Sequence, residues 1–281
     1  MKRLIIKIFV FCLPLVCSLP LIVFCVQRSY HNIDWRLPKE KHILFMGASH
    51  IVQGIDDSLT PNAINLSKES ERYMFTYIKL ERILENNHQI DTVFLECAPT
   101  DIFEHADDKY FNDSEMAFFF TRYYPFFKFK QWCYYRNNSL AAFQNLYSPN
   151  NIRSLFQIND YTSFVSSFPE HKGQLNRDLI VYDPFGGVYG HEINYLYLRK
   201  IIDLCNNMSI KLYFLYCPMF RPEYYYDQDY YYSALKQYFG EVELLDYSQF
   251  PMEDDEREDA HHLNDKGAQR FTWVIKERFG F

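Results

Sequence analysis

Residues 42–50 read His-Ile-Leu-Phe-Met-Gly-Ala-Ser-His, and this stretch decides the fold that the sequence predicts. The apolar run 43–46 is closed by Gly47, which is typical of a buried strand in a parallel sheet. Ser49 follows just past the carboxyl end of that strand, the edge at which open α/β sheets bind their ligands. The next residues, 50–55, are predicted to form a helix. The stretch therefore predicts a first β-strand that delivers a serine to a functional edge.

Ser49 has two interpretations at this position. The first turn of a helix presents backbone N–H groups that favour developing negative charge. A serine there can attack an acyl group with its hydroxyl while its own backbone N–H holds the resulting oxyanion. Alternatively, the hydroxyl caps the helix, which is a common role of serine at helix starts. The stretch alone leaves both roles open.

The rest of the chain alternates between apolar runs and segments with helical spacing, apart from one long interruption. Such alternation predicts an α/β domain over residues 42–281 with a parallel, doubly wound sheet. Further strands are predicted at 63–66, 91–97, 210–217 and 242–246. Helices are predicted at 68–86 and 191–207, and a third includes Leu235 and Phe239. A final helix begins with Asn264 as its N-cap and runs to about Arg278.

The interruption is an insertion at about 102–190 that is dominated by aromatic residues. Half of residues 110–135 are Phe, Tyr or Trp. This density is typical of a helical insertion that packs a small core of its own. The functional alternatives are an aromatic wall for sugar rings and a face that rests on a membrane interface.

The N-terminus predicts a membrane anchor. Residues 1–3 and Lys7 supply positive charge, whereas residues 8–26 carry none, and these nineteen residues are about enough to span a bilayer core. A cleaved signal peptide is the alternative, but it has a shorter apolar stretch and ends at a small-residue cleavage site, which is not evident here. The length of the apolar stretch predicts an uncleaved single-pass helix at 1–28, followed by a linker at 29–41. The charge bias predicts a cytoplasmic N-terminus and a domain outside the cytoplasm.

Charge and cysteine content exclude several classes of function. The 281 residues carry a net charge of −7 and the pI is near 5.7, so no basic surface for nucleic acid is expected. Of seven cysteines, three lie in the apolar N-terminal segment, and the other four are far apart at Cys97, Cys133, Cys205 and Cys217. This spacing fits neither a disulfide framework nor a zinc site and indicates buried thiols.

The chain closes with a second motif, Asp259-Ala-His-His262-Leu-Asn264, just before the predicted final helix. A histidine in this loop can meet a serine at the end of the first strand, so we expect Ser49 Oγ within hydrogen-bond reach of His262. Asp259 would then fix the tautomer of the ring, and His262 would accept the serine proton. One alternative is a solvated acidic loop in which His261 and His262 are neighbours by chance. The other is a metal site made of Asp259, His261 and His262, but no further ligands cluster with them. No metal or cofactor is therefore expected.

Together the two motifs resemble the SGNH (GDSL-type) hydrolase family. The resemblance rests on Gly47-Ala48-Ser49-His50 and Asp259-x-x-His262-Leu263-Asn264, and it covers a little over half of the chain. It implies a flavodoxin-like three-layer α/β/α fold. It also implies that Ser49 is the nucleophile and that His262 and Asp259 complete a catalytic triad.

Two oxyanion donors of that family are absent at the matching positions. The family's second block supplies a glycine and its third an asparagine, but residues 65–69 contain no glycine and Thr100 stands in the asparagine's place. Loss of one such donor typically lowers the rate about a hundred- to a thousandfold. The resemblance therefore implies an oxyanion hole made of the Ser49 backbone N–H and Thr100, or another amide, or else a slow or specialised enzyme.

With its N-terminal anchor, the chain resembles SGNH proteins associated with the O-acylation of cell-surface polysaccharides. This resemblance implies a serine esterase or O-acyltransferase that acts on O-acyl groups, acetyl above all, of an envelope glycan, beside a membrane-bound O-acyltransferase. The alternative is a catalytically weak or inactive scaffold that binds glycan or such a partner through the aromatic insertion. The missing donors favour the scaffold, whereas the intact Ser/His/Asp set favours the enzyme.

Overall fold

The computed structural model describes the predicted α/β domain and parts of the insertion. The described residues are 32–103, 119–120, 122–128, 130–131, 158–166, 172–177, 192–224 and 226–281, together with isolated positions before residue 31.

Five parallel strands form one sheet in the order β2-β1-β3-β4-β5. Their bounds are β1 Ile43–Met46, β2 Ala63–Asn65, β3 Thr92–Glu96, β4 Lys211–Tyr216 and β5 Glu243–Asp246. This is the order of a doubly wound, flavodoxin-like sheet, whose switch point lies between β1 and β3. The predicted parallel sheet is confirmed, and each strand ends within one residue of its predicted bounds.

Helices cover both faces of this sheet. Their bounds in the described part of the chain are α1 Ser49–Gly54, α2 Tyr73–Asn86, α3 Pro99–Phe103, α4 Glu192–Asn207, α5 Gln228–Phe239 and α6 Asp265–Phe279. Successive side chains of β1 point to opposite faces. Leu44 and Met46 join a core with α2, α4 and α5, whereas Ile43 and Phe45 join a second core with α1 and α6. The described domain is therefore α/β, with helices on both sides of a central sheet.

The helix before β3 begins later than predicted. Helical spacing predicted a helix over 68–86, but α2 begins at Tyr73 because the preceding loop forms a turn of its own. The Glu71 N–H donates to Lys68 O at 3.0 Å. Between them Ser70 adopts a φ of 59°, in the left-handed region that a right-handed helix cannot include. The loop is thus a defined element beside the carboxyl end of β2.

Residues 29–41, predicted to be a linker, pack against the domain in their described part. Ile33, Trp35 and Leu37 are buried in the larger core, and exposed polar residues alternate with them. Asn87 holds this extended segment, since its side chain accepts the Leu37 N–H and donates to Trp35 O, both at 2.7 Å. The linker interpretation is corrected because three apolar side chains, spaced two apart, give the segment one buried face.

Described aromatic residues of the predicted insertion, 102–190, pack into the larger core of the domain. The rings of Phe119 and Tyr123 lie 5.2 and 5.1 Å from that of Phe75 in α2. Phe164 meets Tyr123 edge to face at 5.2 Å. These residues therefore share the larger core of the α/β domain instead of forming a small core of their own. Most of the aromatic stretch lies outside the described residues, so its functional alternatives stay predictions.

Two further predictions fall partly outside the described residues. Of the predicted membrane span at 8–26, the structure describes only four positions, and no helix within the described part of the chain combines the length and apolar character needed to cross a bilayer. The described cysteines Cys97, Cys205 and Cys217 are buried and unbridged, as predicted. Cys133 lies outside the described residues.

Candidate active site

Ser49, His262 and Asp259 form a hydrogen-bonded chain, although 213 residues separate the serine from the histidine in sequence. Ser49 Oγ lies 2.9 Å from His262 Nε2. The other ring nitrogen, Nδ1, lies 3.1 and 3.0 Å from the two carboxylate oxygens of Asp259. The contact that the sequence predicts between Ser49 and His262 is present, and all three triad candidates meet.

Asp259 is held in an ionised state that sets the tautomer of His262. Its Oδ1 accepts the backbone N–H of His261 at 2.7 Å and of His262 at 2.9 Å. Burial acts to raise the pKa of Asp259, but the hydrogen bond and charge of His262, with these backbone donors, hold the pKa well below its usual range. An ionised acceptor at Nδ1 keeps the proton on that nitrogen. Nε2 is then left to accept the proton of Ser49.

Ser49 is the first residue of α1, one residue before the predicted helix start, and its hydroxyl does not cap that helix. Glu96, at the end of β3, supplies the cap instead. Its Oε2 accepts the N–H of Ala48 at 2.6 Å and of Ile51 at 3.3 Å. Because a carboxylate from the neighbouring strand satisfies the start of α1, the Ser49 hydroxyl is directed to His262.

Gly47 is required where the end of β1 approaches β3. Its φ of +154° lies in the region that glycine alone adopts readily. A Cβ at this position would lie only 2.3 Å from the Cβ of Glu96. The absence of a side chain therefore allows Glu96 to reach the start of α1, and the two residues together fix the direction of Ser49.

The loop that carries His262 and Asp259 is closed by Asn264. Asn264 caps α6 as predicted, since its Oδ1 accepts the Gly267 N–H at 3.1 Å. Its Nδ2 donates to Asp255 O at 2.8 Å, across the base of the loop. One side chain thus joins both ends of the loop to the helix behind it, which holds the two triad residues opposite Ser49.

A cavity of about 320 Å³ opens on the triad. Most of the side chains in its wall are polar or charged, among them Ser49, Ser70, Arg72, Thr100, Asp101 and His262. The volume lies at the small end of the range for ligand sites. The cavity therefore suits a small ligand with polar groups, because few of the side chains in its wall are apolar.

Thr100 and Ser70 line this cavity and are the candidates to complete an oxyanion hole with Ser49. Thr100 Oγ1 is buried and has no hydrogen-bond partner among the described residues. Ser70 is a residue that the sequence analysis missed, because the search for a glycine covered only 65–69. Its φ of 59° is the conformation that glycine adopts most easily, so Ser70 takes a glycine-like backbone next to the expected block.

Asp101 places a second carboxyl group in the cavity. It is 8% exposed, and its Oδ2 accepts the Ala98 N–H at 2.9 Å. Burial and the nearby charge of Glu96 raise the pKa of Asp101 to about 7, although Arg72 acts in the opposite direction. Near neutral pH this carboxyl can therefore either donate or accept a hydrogen bond to a polar substrate.

The metal interpretation of the final motif gains no support in the described residues. There, no group of three or more His, Cys, Asp or Glu side chains is arranged to hold a metal ion. Asp259 is instead engaged with His262 and with the backbone of its own loop.

Comparisons with known proteins do not assign this chain to a family. No family model matches it, and no curated protein matches it. Among solved structures, it is similar to one from Streptococcus pneumonia that is provisionally described as a platelet activating factor. The two share 11% identity over 97% of this chain and 98% of the other, with a TM-score of 0.43. A TM-score this low carries no argument about fold or function, so the functional case depends on the geometry of the site.

Proposed function

We propose that this protein is a serine esterase or O-acyltransferase of the SGNH type, anchored in a membrane by its N-terminal segment. The observation that carries the proposal is the chain of contacts Asp259–His262–Ser49, at 3.0 and 2.9 Å. In such a chain the histidine removes the serine proton, and the carboxylate stabilises the imidazolium that forms. The position of Ser49 at the carboxyl edge of a parallel sheet supports the same assignment.

The first half of the reaction transfers the acyl group to Ser49. Ser49 Oγ attacks the carbonyl carbon as its proton passes to His262 Nε2, and the carbonyl oxygen becomes the oxyanion of a tetrahedral intermediate. The backbone N–H of Ser49, with Ser70 and Thr100, stabilises this oxyanion. His262 then returns the proton to the departing hydroxyl as the carbon–oxygen bond breaks, which leaves an ester on Ser49.

The second half returns the enzyme to its starting state. His262 removes a proton from water in an esterase, or from a sugar hydroxyl in a transferase, and the resulting nucleophile attacks the acyl-serine. Collapse of the second tetrahedral intermediate releases Ser49, which regains its proton from His262. Neither half consumes a cofactor.

The shape and polarity of the cavity support a short acyl group on a glycan. About 320 Å³ accommodates an acetyl ester and part of a sugar ring, and Arg72, Thr100 and Asp101 offer hydrogen bonds to hydroxyl groups. We therefore assign O-acetyl groups of an envelope glycan as the substrate. The predicted membrane orientation places the domain outside the cytoplasm, where a membrane-bound O-acyltransferase would be its partner.

A catalytically weak scaffold is the second candidate function, and Thr100 is the observation that favours it. An asparagine amide is a fixed donor, whereas the hydroxyl of Thr100 is buried and points to no described partner. A site that lacks one oxyanion donor is slower by about 10²–10³. In that case the cavity would bind glycan, or the domain would bind an acyltransferase, with little turnover.

Reaction with a fluorophosphonate probe and hydrolysis of p-nitrophenyl acetate distinguish the two functions. The full chain in detergent is compared with Ser49→Ala and with Ser233→Ala, which removes an exposed hydroxyl on α5. We expect labelling and turnover in the wild type and in Ser233→Ala, and neither in Ser49→Ala. Labelling without turnover would identify a transferase that requires its acceptor. A folded wild-type protein with neither signal would contradict the enzyme and favour the scaffold.

A further inference from the structure

A second histidine–carboxylate pair lies directly behind the nucleophile, and the proposed reaction does not use it. His50 follows Ser49 in α1, and its Nδ1 lies 2.6 Å from Glu96 Oε1. The two side chains are only 7% and 1% exposed. Burial of a charged pair is costly unless both partners are well hydrogen-bonded, so a pair at this position indicates a specific role.

Glu96 joins this pair to the turn that carries the nucleophile. Its Oε2 accepts the backbone N–H of Ala48 at 2.6 Å and of Ile51 at 3.3 Å, while Oε1 bonds to His50. One carboxylate therefore fixes both the start of α1 and the plane of the His50 ring. The ring cannot turn without breaking a short, buried hydrogen bond.

The ring of His50 is stacked on the ring of His262. Their centroids are 5.2 Å apart and their planes differ by 26°. The Nε2 atom of His50 is buried and has no hydrogen-bond partner among the described residues. His50 is thus held through Nδ1, and it acts on the triad through the face of its ring.

The directions of both pKa shifts favour the ionised form of the buried pair. Burial acts to lower the pKa of His50, but the charge of Glu96 and its hydrogen bond raise the pKa overall. Burial likewise acts to raise the pKa of Glu96, and the charge of His50 with its hydrogen bond lowers it overall. The positive partner, His50, is the one whose ring contacts His262.

We propose that His50, held by Glu96, is a positioning residue that supports the ring of His262 and, through its positive charge, keeps His262 neutral and able to accept the proton of Ser49. This inference rests on the proposed function, because it treats His262 as the general base. His262 can accept the proton of Ser49 only while its Nε2 carries no proton. A positive charge against the face of the ring opposes a second positive charge on the ring.

Other charged or titratable groups surround the two histidines, and the substitution at His50 removes none of them. They are Arg72, Glu96, Asp101, Tyr226, Asp259 and His261. Two like charges about 5 Å apart at a partly buried site, partly offset by Glu96, correspond to a shift of about one pH unit in the pH dependence of the labelling rate.

The pH dependence of fluorophosphonate labelling at Ser49 tests this inference in the full chain. His50→Gln removes the charge but keeps a hydrogen-bonding amide near Glu96. His42→Gln is the matched control, since its Nδ1 bonds to Gln89 O before the amino end of β1, away from the cavity. On the acid side, the pH at which the labelling rate is half its maximum should rise by about one unit in His50→Gln and stay unchanged in His42→Gln. If this pH is unchanged or lower in a folded His50→Gln protein that is still labelled, the inference is overturned.

Titration of the histidine ring signals by NMR in the wild-type chain provides a test that needs no variant and no activity. We expect the His50 ring to keep its second proton above the pH at which a free imidazole loses it, because the charge and hydrogen bond of Glu96 raise the pKa of His50. A His50 ring that is already neutral at that pH would overturn the inference, whether or not His50→Gln folds. If folded wild-type protein is not labelled at any pH, the proposed function fails instead, and the titration of His50 still decides whether it carries the charge.

Discussion

Asp259→Asn tests the orientation of the triad without removing the nucleophile. An asparagine has almost the same size, and its amide oxygen can still accept the backbone N–H of His261 and His262, as Asp259 does at 2.7 and 2.9 Å. Its NH₂ group, however, cannot accept the Nδ1 proton of His262. The substitution therefore favours the tautomer with the proton on Nε2, in which His262 cannot accept a proton from Ser49.

The size of the loss follows from the exposure of this carboxylate. A buried triad aspartate is worth about 10⁴ in kcat by this mechanism. The side chain of Asp259 is 52% exposed, so water can share its role and the new amide can turn towards solvent. We therefore expect a smaller loss, of about 10²–10³ in kcat/KM, which corresponds to about 3–4 kcal/mol of transition-state stabilisation.

Steady-state hydrolysis of p-nitrophenyl acetate by the full chain measures this loss. Asp255→Asn is the matched control, because Asp255 forms an exposed ion pair with Lys266 on the same stretch of chain. We expect the control to retain wild-type kinetics. A loss of less than about threefold in Asp259→Asn would refute the role of Asp259 in orienting His262. A loss as large as that of Ser49→Ala would refute the reasoning from exposure.

Three further predictions concern the cavity and the core. Thr100→Ala should lower kcat about tenfold or more with little change in KM. Thr100→Asn should raise kcat, because an amide is the better oxyanion donor. Equal kcat values in the wild type and both variants would exclude Thr100 from the oxyanion hole. Lys79→Met leaves the buried carboxylate of Glu71, 2.7 Å from Lys79 Nζ, without its charge partner. Urea denaturation should therefore show a free energy of unfolding lower by about 3–5 kcal/mol, which a second substitution, Glu71→Gln, largely restores. Strictly additive losses in the double variant would contradict the pairing. Burial and Glu96 raise the pKa of Asp101 to about 7 in the folded state. Between about pH 4 and 7 the folded protein therefore binds a proton that the unfolded chain has released, and the free energy of unfolding falls as the pH rises. Asp101→Asn should lack this fall, and parallel profiles of unfolding free energy against pH for the two proteins would contradict the prediction.

Local sequence patterns predicted the sheet and the final motif because each depends on neighbouring residues. The run 43–46 is uniformly apolar because β1 is buried on both faces, with Leu44 in one core and Phe45 in the other. Asn264 could be placed as a helix cap because its acceptor oxygen bonds to a residue three positions ahead. No local rule joins Ser49 to His262, so their meeting was predicted from the expected parallel sheet, which places the two loops at one edge, and from the resemblance.

The contacts that hold Ser49 in place could not be predicted, because they join residues that lie far apart in the sequence. Nothing near Glu96 in sequence marks it as the partner of His50 and Ala48, because the pairing of β1 with β3 brings them together. Ser70 was equally hidden, since a left-handed backbone is expected of glycine and rarely of serine. Both features depend on tertiary contacts that periodicity does not report.

The claim that matters most is that Ser49 carries the acyl group during the reaction. Peptide mass spectrometry of the full chain, quenched in acid during turnover of p-nitrophenyl acetate, tests it directly. We predict one acetyl group on the peptide that contains Ser49 in the wild type and none in Ser49→Ala. Steady hydrolysis by the wild type with no acetyl group on that peptide, or equal hydrolysis by Ser49→Ala, would contradict the claim.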